Sequence, residues 1–253
     1  MPEGPVLFFG DINVDNIFKL PKFPEPGRDG FATHTEMHLG GAVCNSAVVC
    51  QKLGQPASLL GVLGEDLWSD FVYSELNRAG INADHVFIKE GEKTGLIFIA
   101  VTPDGERTML SYRGANLKIQ PADITENVLD NIRLVQFSGY AFLESPQKEA
   151  AWRLLEFALD RRIPISLDTG LDPVLLASND IHEVLPHLAL LITGEKEAEL
   201  LTGKVDHQDQ MEELISLGLE QIAIKLGSSG ALIGYENGVF KQPAFPVTVV
   251  DTT

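Results

Sequence analysis

Cysteine is scarce: Cys44 and Cys50 are the only two in 253 residues. They stand six apart in a stretch that reads as helix, a spacing that puts them on different faces and excludes a disulfide between them. Two unpaired thiols suit a reducing cytoplasm. The opening Met1-Pro2-Glu3-Gly4-Pro5 lacks the basic and apolar regions of a signal peptide. Long hydrophobic runs are missing as well; residues 97–101 and 188–192 fall far short of a bilayer span. Positive charge is thin, with 19 Lys and Arg against 36 Asp and Glu and a net charge of -17. Sequence-independent binding to nucleic acid needs clustered cations to displace counterions, and docking on an anionic membrane needs them too. Both are excluded as partners. A small anionic ligand is not, because backbone N–H groups and helix N-termini can hold phosphates.

Familiar catalytic signatures are also missing. There is no G-x-x-x-x-G-K-[ST] phosphate loop, no G-x-G-x-x-G after a strand, and no G-x-S-x-G elbow. The six histidines are scattered and form no zinc pattern with the cysteines.

What is present is an ordinary globular composition, 44% hydrophobic and 22% charged. Short β-like runs at 6–9, 58–62, 134–138, 163–168, 188–193, 221–226 and 231–235 alternate with helical patterns at 41–53, 67–79, 146–161, 195–201 and 209–217. Gly54 and Gly80 stop the first two helices, and Pro146 opens the third. In the second helix, Phe71, Leu76 and Ala79 read as buried positions. The alternation predicts βαβ units and a mostly parallel sheet. Two regions break it. Residues 18–38 are rich in proline and glycine, with only short extended pieces. Residues 94–101 and 107–112 are β-rich and joined by the turn Pro103-Asp104-Gly105-Glu106. Together these regions, about 12–38 and 94–113, predict a small β-lid, which is either a mobile cover or half of a homodimer contact.

Four places carry candidate chemistry. Gly10-Asp11-Ile12-Asn13-Val14-Asp15 follows the first strand, where parallel sheets bind ligands. Asn13 and Asp15 there suit a polyhydroxylated ligand, or cap their own backbone. Gly40-Gly41 opens a helix whose free N–H groups face outward, with Asn45 one turn in. Thr193-Gly194-Glu195-Lys196-Glu197 closes a strand, and its carboxylates either hold Mg²⁺ through water or favour the helix dipole. Lys225-Leu226-Gly227-Ser228-Ser229-Gly230 is a glycine-rich connection between strands.

Taken in order, these pieces resemble the ribokinase-like (phosphofructokinase-B type) carbohydrate kinases. The series also includes Gly61-x-x-Gly64-Glu65-Asp66, Arg113-Gly114-Ala115-Asn116 and Val250-Asp251-Thr252-Thr253, and it spans the chain. The resemblance implies one ribokinase-like α/β domain over 1–253, acting on a small-molecule sugar with ATP and Mg²⁺. By the same resemblance Asp15, Gly40, Gly41 and Asn45 hold sugar hydroxyls, with Arg113 as a further substrate contact or a salt-bridged surface residue. Gly194, Lys225, Gly227 and Gly230 fall beside ATP, Glu197 near Mg²⁺, and Asp251 and Thr253 at a monovalent-cation (K⁺) site.

Two departures stand out. Gly194 replaces the Asn that the family places ahead of its metal-linked Glu. The family's Gly-Ala-Gly-Asp segment, with its general base, would follow Thr253. The resemblance therefore implies a C-terminally incomplete chain, inactive alone, whose base lies beyond Thr253. A nucleoside kinase and a non-catalytic sugar- or nucleotide-binding regulator are the alternatives.

Overall fold

The computed structural model describes residues 4–235 and 238–247. The chain divides into two compact units, Met1–Ile163 and Pro164–Thr253, and each has its own layers.

The first unit runs β1 (Val6–Phe9), β2 (Asn13–Lys19), β3 (His34–Gly40), α1 (Ala42–Lys52), β4 (Ala57–Gly64), α2 (Leu67–Ala79), β5 (Asn82–Lys89), β6 (Gly95–Val101), β7 (Arg107–Tyr112), β8 (Leu134–Ser138) and α3 (Gln147–Asp160). Its main sheet has the order β8-β1-β4-β5, all parallel. β1 and β4 are buried along their whole length, which is why they read as unbroken apolar runs and not as alternating ones. Val6 and Phe8 pack with Val43 and Ala47 of α1 and Val72 and Leu76 of α2. From the opposite face Phe9 meets Phe137 edge-on at 5.8 Å, and Phe142 carries the contact to Trp152 of α3.

The burial of α2 corrects the sequence expectation in part. Ser69, Val72 and Leu76 form its buried face, while Phe71 and Ala79 are only partly covered. β5 was not legible because just one of its eight residues, Val86, is buried, and Asn82, Asp84 and His85 interrupt any apolar pattern.

The second sheet of this unit has the order β3-β2-β6-β7. β2 is antiparallel to β3 and parallel to β6, and β6 is antiparallel to β7. Residues 13–40 thus hold two seven-residue strands, longer than the short extended pieces expected. β3 leaves most of its residues exposed, so pairing with β2 specifies it in place of an apolar alternation. On one face, cross-strand rows line up His38–Asp15–Ile97–Ser111 and Glu36–Ile17–Ile99–Met109. Ile99 is fully covered there, and Ile97 and Val101 are half-buried.

The Gly64-Glu65-Asp66 motif is structural. Asp66 caps α2 by accepting from the Trp68 and Ser69 N–H groups, and also accepts from the Thr94 N–H and hydroxyl. The Thr94 hydroxyl in turn accepts from the Gly64 N–H at 3.1 Å. A side chain at Gly64 would collide with the backbone of Lys93 and Thr94, so the close approach of these two segments requires glycine.

The second unit runs β9 (Ile165–Asp168), α4 (Leu171–Leu176), α5 (Ser178–Val184), β10 (Leu190–Gly194), α6 (Glu195–Thr202), α7 (His207–Ser216), β11 (Ile222–Lys225), β12 (Ala231–Tyr235) and β13 (Gly238–Gln242). β9, β10 and β11 pair in parallel, and β12 and β13 extend them antiparallel. Among the described residues no helix is long and apolar enough to cross a membrane.

Asp66 generates a stability prediction. Burial pushes its carboxyl upward, but the bonds from Thr94, Ser69 and Trp68 outweigh this and hold it below the ordinary range. A depressed carboxyl contributes stability above its unfolded value that is lost as pH falls through the folded one. Asp66→Ala removes a cap and strands the donors of Thr94, a loss of about 2–4 kcal/mol. Urea unfolding at pH 7 should show that loss, and the gap to the parent should narrow below about pH 3.9.

Candidate functional site

The chain leaves β1 at Gly10, wedged between Ser138 and Val43. Asp11 then turns inward, 8% exposed. Its carboxylate receives the Arg113 guanidinium in bidentate fashion, Nε to Oδ2 at 2.7 Å and Nη2 to Oδ1 at 2.9 Å. Gln147 of α3 donates to Oδ1 at 2.8 Å and accepts from Arg113 Nη2 at 2.6 Å. The Tyr140 carbonyl accepts from the same nitrogen at 2.9 Å. One buried ion pair therefore fixes the exit of β1, the end of β7 and the start of α3.

Asn116 builds the neighbouring wall. Its Oδ1 accepts from the Ile12 N–H at 2.9 Å, and its Nδ2 donates to Asn13 Oδ1 at 2.9 Å. Asn13 has thus committed its acceptor, and its own Nδ2 has no protein partner among the described residues. A side chain at Gly95 would fill the space where these two amides meet.

Asp15 follows on β2. Its carboxylate lies over Gly40, where any Cβ would collide with it, and its Oδ1 is buried without a hydrogen-bond partner. Burial raises its pKa to about 6, partly opposed by His38 across the sheet. Gly41 caps α1 with φ +95° and stands against the Asp11 carbonyl, a place only glycine fits. Asn45 is exposed one turn into the helix.

Asn13, Asp15, Gly41, Asn45 and Arg113 all line one cleft of about 310 Å³, with Ile97 and Met109 of the small sheet forming its apolar wall. Gly40 lies beneath Asp15. The sequence reading gave Arg113 two alternatives; it lines the cleft while already bonded to three acceptor groups. Gln147 and Asn116 were given no role. Asn116 was within reach, as it ends the quoted Arg113-Gly114-Ala115-Asn116, whereas nothing in the sequence of α3 singles out Gln147.

In the second unit, Glu197 sits at the third position of α6 and folds back over its start. Oε2 accepts from the Gly194 N–H and from the hydroxyls of Thr169 at 3.1 Å and Thr193 at 3.4 Å. A Cβ at Gly194 would stand 2.8 Å from that oxygen, so the glycine leaves the carboxylate its place. Lys225, at the end of β11, pairs with Asp168 at the end of β9 at 2.8 Å. Gly227 (φ +55°) and Gly230 (φ +94°) form the turn into β12, and a side chain at Gly230 would strike the Gln242 carbonyl. Among the described residues no group of three or more His, Cys, Asp or Glu gathers to hold a metal. Glu197 fits the lesser demand of Mg²⁺ bound through water, because Oε1 makes none of these bonds. Asp251 and Thr253 lie outside the described residues.

Comparison with known proteins places this arrangement. The ribokinase of Staphylococcus aureus is 27% identical over 254 residues, covering 98% of this chain and 81% of the relative. The 5-dehydro-2-deoxygluconokinase of Bacillus subtilis is 24% identical over 226 residues, covering 85% and 70%. The crystal structure of a ribokinase from Thermotoga maritima superposes with a TM-score of 0.83 at 24% identity, over 99% of this chain and 81% of that one. The fold is ribokinase-like, with mostly parallel main-sheet strands flanked by helices and a second, smaller sheet. The pattern described as "pfkB family carbohydrate kinase" matches residues 5–253, and the chain belongs to that family of ATP-dependent sugar kinases.

Proposed function

We propose that the first-unit cleft holds the sugar and presents one hydroxyl for phosphoryl transfer from ATP. The observation that carries this is Asp15: a carboxylate oxygen buried with no partner, at the carboxyl end of a parallel sheet, waits for a donor. A sugar hydroxyl supplies one. Asn13 Nδ2 and Asn45 offer the complementary amides, and Gly40 and Gly41 admit the ligand close to the backbone. Arg113 holds Asp11 and, through it, the wall of the cleft.

In the second unit we assign the nucleotide to the surroundings of Gly194, Lys225, Gly227 and Gly230. Mg²⁺ is held through water by Glu197, and K⁺ by Asp251 and Thr253. Bound Mg²⁺ supplies charge to neutralise the transferring phosphoryl group; the transfer needs positioning more than covalent help. Lys225, tied to Asp168, contributes a fixed positive charge. Gly194 gives no side-chain contact to the nucleotide, and its role is to let Glu197 fold inward. Two free thiols suit a cytoplasmic setting.

The lid's other face exposes Met37 and Leu110, at 39% and 62%. We assign that face to a second copy of the chain. Sedimentation should give a dimer for the parent and a monomer for Leu110→Glu.

Asp15 yields a paired prediction. Its raised carboxyl means that ionisation costs the fold, a cost absent below the unfolded value of 3.8 and complete above about pH 6. Asp15→Asn should therefore gain roughly 1–2 kcal/mol at pH 8, allowing for the group's partial exposure, and nothing at pH 4. In a polypeptide extended by the family's Gly-Ala-Gly-Asp segment, Asp15→Ala should raise the sugar KM by about 10–150-fold, the equivalent of roughly 1.5–3 kcal/mol, and leave nucleotide affinity unchanged. Loss of ATP binding with sugar affinity intact would reverse the assignment.

The 253 residues contain no Gly-Ala-Gly-Asp. A general base contributes about 10²–10⁴-fold and an anion-stabilising donor about 10²–10³-fold. The 253-residue polypeptide is therefore expected to bind sugar while turning over about 10⁴-fold or more slower than one extended by that family segment. Steady-state assay of both polypeptides checks this, and rates within tenfold of one another would move the base inside the 253 residues.

A further inference from the structure

The charges of the sugar cleft do not balance, and the imbalance bears on which sugars fit. This inference rests on the cleft being the sugar site. Among its lining residues, Arg113 is the one cation, against the two carboxylates Asp11 and Asp15. Both Asp11 oxygens neutralise the guanidinium, and its Nε and Nη2 are engaged by Asp11, Gln147 Oε1 and the Tyr140 carbonyl. Asp15 keeps a buried oxygen without any donor. What remains to meet a ligand is neutral: the Asn13 and Asn45 amides, the Ser111 and Ser138 hydroxyls, and the first-turn backbone of α1.

Among the described residues no other Lys or Arg lines this cleft. Lys52 and Arg78 line a neighbouring hollow over α1, with Glu75 beside them, and Arg78 is paired to Glu75. His38 faces that hollow and donates to Glu36, which also meets Lys19 and His34. A carboxylate or phosphate on the ligand would therefore find in the cleft only a cation already neutralised by Asp11, and would stand close to the Asp15 carboxylate. Like charges at such range weaken binding strongly where water is excluded.

We infer that this site takes uncharged polyhydroxylated sugars and rejects sugar acids and sugar phosphates. Asp15 then has two roles. It accepts from a hydroxyl, and it repels anionic analogues of the same carbon skeleton.

Isothermal titration of the 253-residue chain without nucleotide separates the outcomes. The probes are D-ribose, D-fructose and D-glucose against D-gluconate, glucose 1-phosphate and ribose 1-phosphate. At least one neutral sugar should bind, with its anionic counterparts weaker by at least about 30-fold. In Asp15→Asn, which is expected to fold, that gap should shrink because the neutral sugar loses a partner and the anion loses a repulsion. A sugar acid or phosphate binding as tightly as its neutral counterpart would overturn the inference. So would anion binding that Lys52→Ala abolishes, since the ligand would then extend into the neighbouring hollow. Failure of all six to bind would remove the sugar reading itself, and this inference with it.

Discussion

The ion pair between Asp11 and Arg113 is the constraint on which the rest of the first unit depends. A buried pair of this kind persists only when its remaining donors and acceptors are satisfied, and here Gln147 and the Tyr140 carbonyl complete the set. Removing one member of such a pair generally costs roughly 3–5 kcal/mol, because the other is left charged and buried. The pair joins positions 102 residues apart, so the loop after β1 cannot be placed until the end of the lid is placed too. Asn116 repeats the arrangement three residues further on, reaching back 104 residues to Ile12. The cleft inherits its rigidity from these two returns of the chain.

Asp15 stands in contrast. It is the one cleft carboxylate left without partners, and its elevated pKa marks a local cost to the fold. Burying a polar group without a hydrogen bond is unfavourable, and proteins retain such sites where a ligand completes them. Gly40 belongs to the same feature. Its missing side chain is the space in which the carboxylate lies, so diglycine and aspartate form a single unit although 25 residues separate them.

Much of this was legible in the sequence, and the reasons for the rest are specific. Helices α1 and α2 were found because glycines end them and an apolar face runs through them. The lid was placed by the break in βαβ rhythm and by its hairpin turn. β3 was missed because most of its residues are exposed, and β5 because only Val86 is buried, leaving no alternation to read. The cleft residues on β2 and α1 were found because they follow directly from a strand end and a diglycine. Gln147 was not, since it acts only through contacts 34 and 136 residues away. In the second unit both readings of the Glu197 carboxylate keep their force, with one oxygen committed to the helix start and the other outside those bonds.

The parallel pairing of β2 with β6 has a consequence for the lid as an evolutionary object. Two adjacent parallel strands cannot be joined by a tight turn; the chain must travel before it returns. Here that journey passes through α1, β4, α2 and β5, so the core of the first unit is threaded between the two middle strands of its own cover. Such a cover is not a cassette. It cannot be cut out, grafted or lost in one genetic step without severing the body beneath it. Changes of specificity within this architecture must therefore come by substitution on the lid's strands or by lengthening its turns.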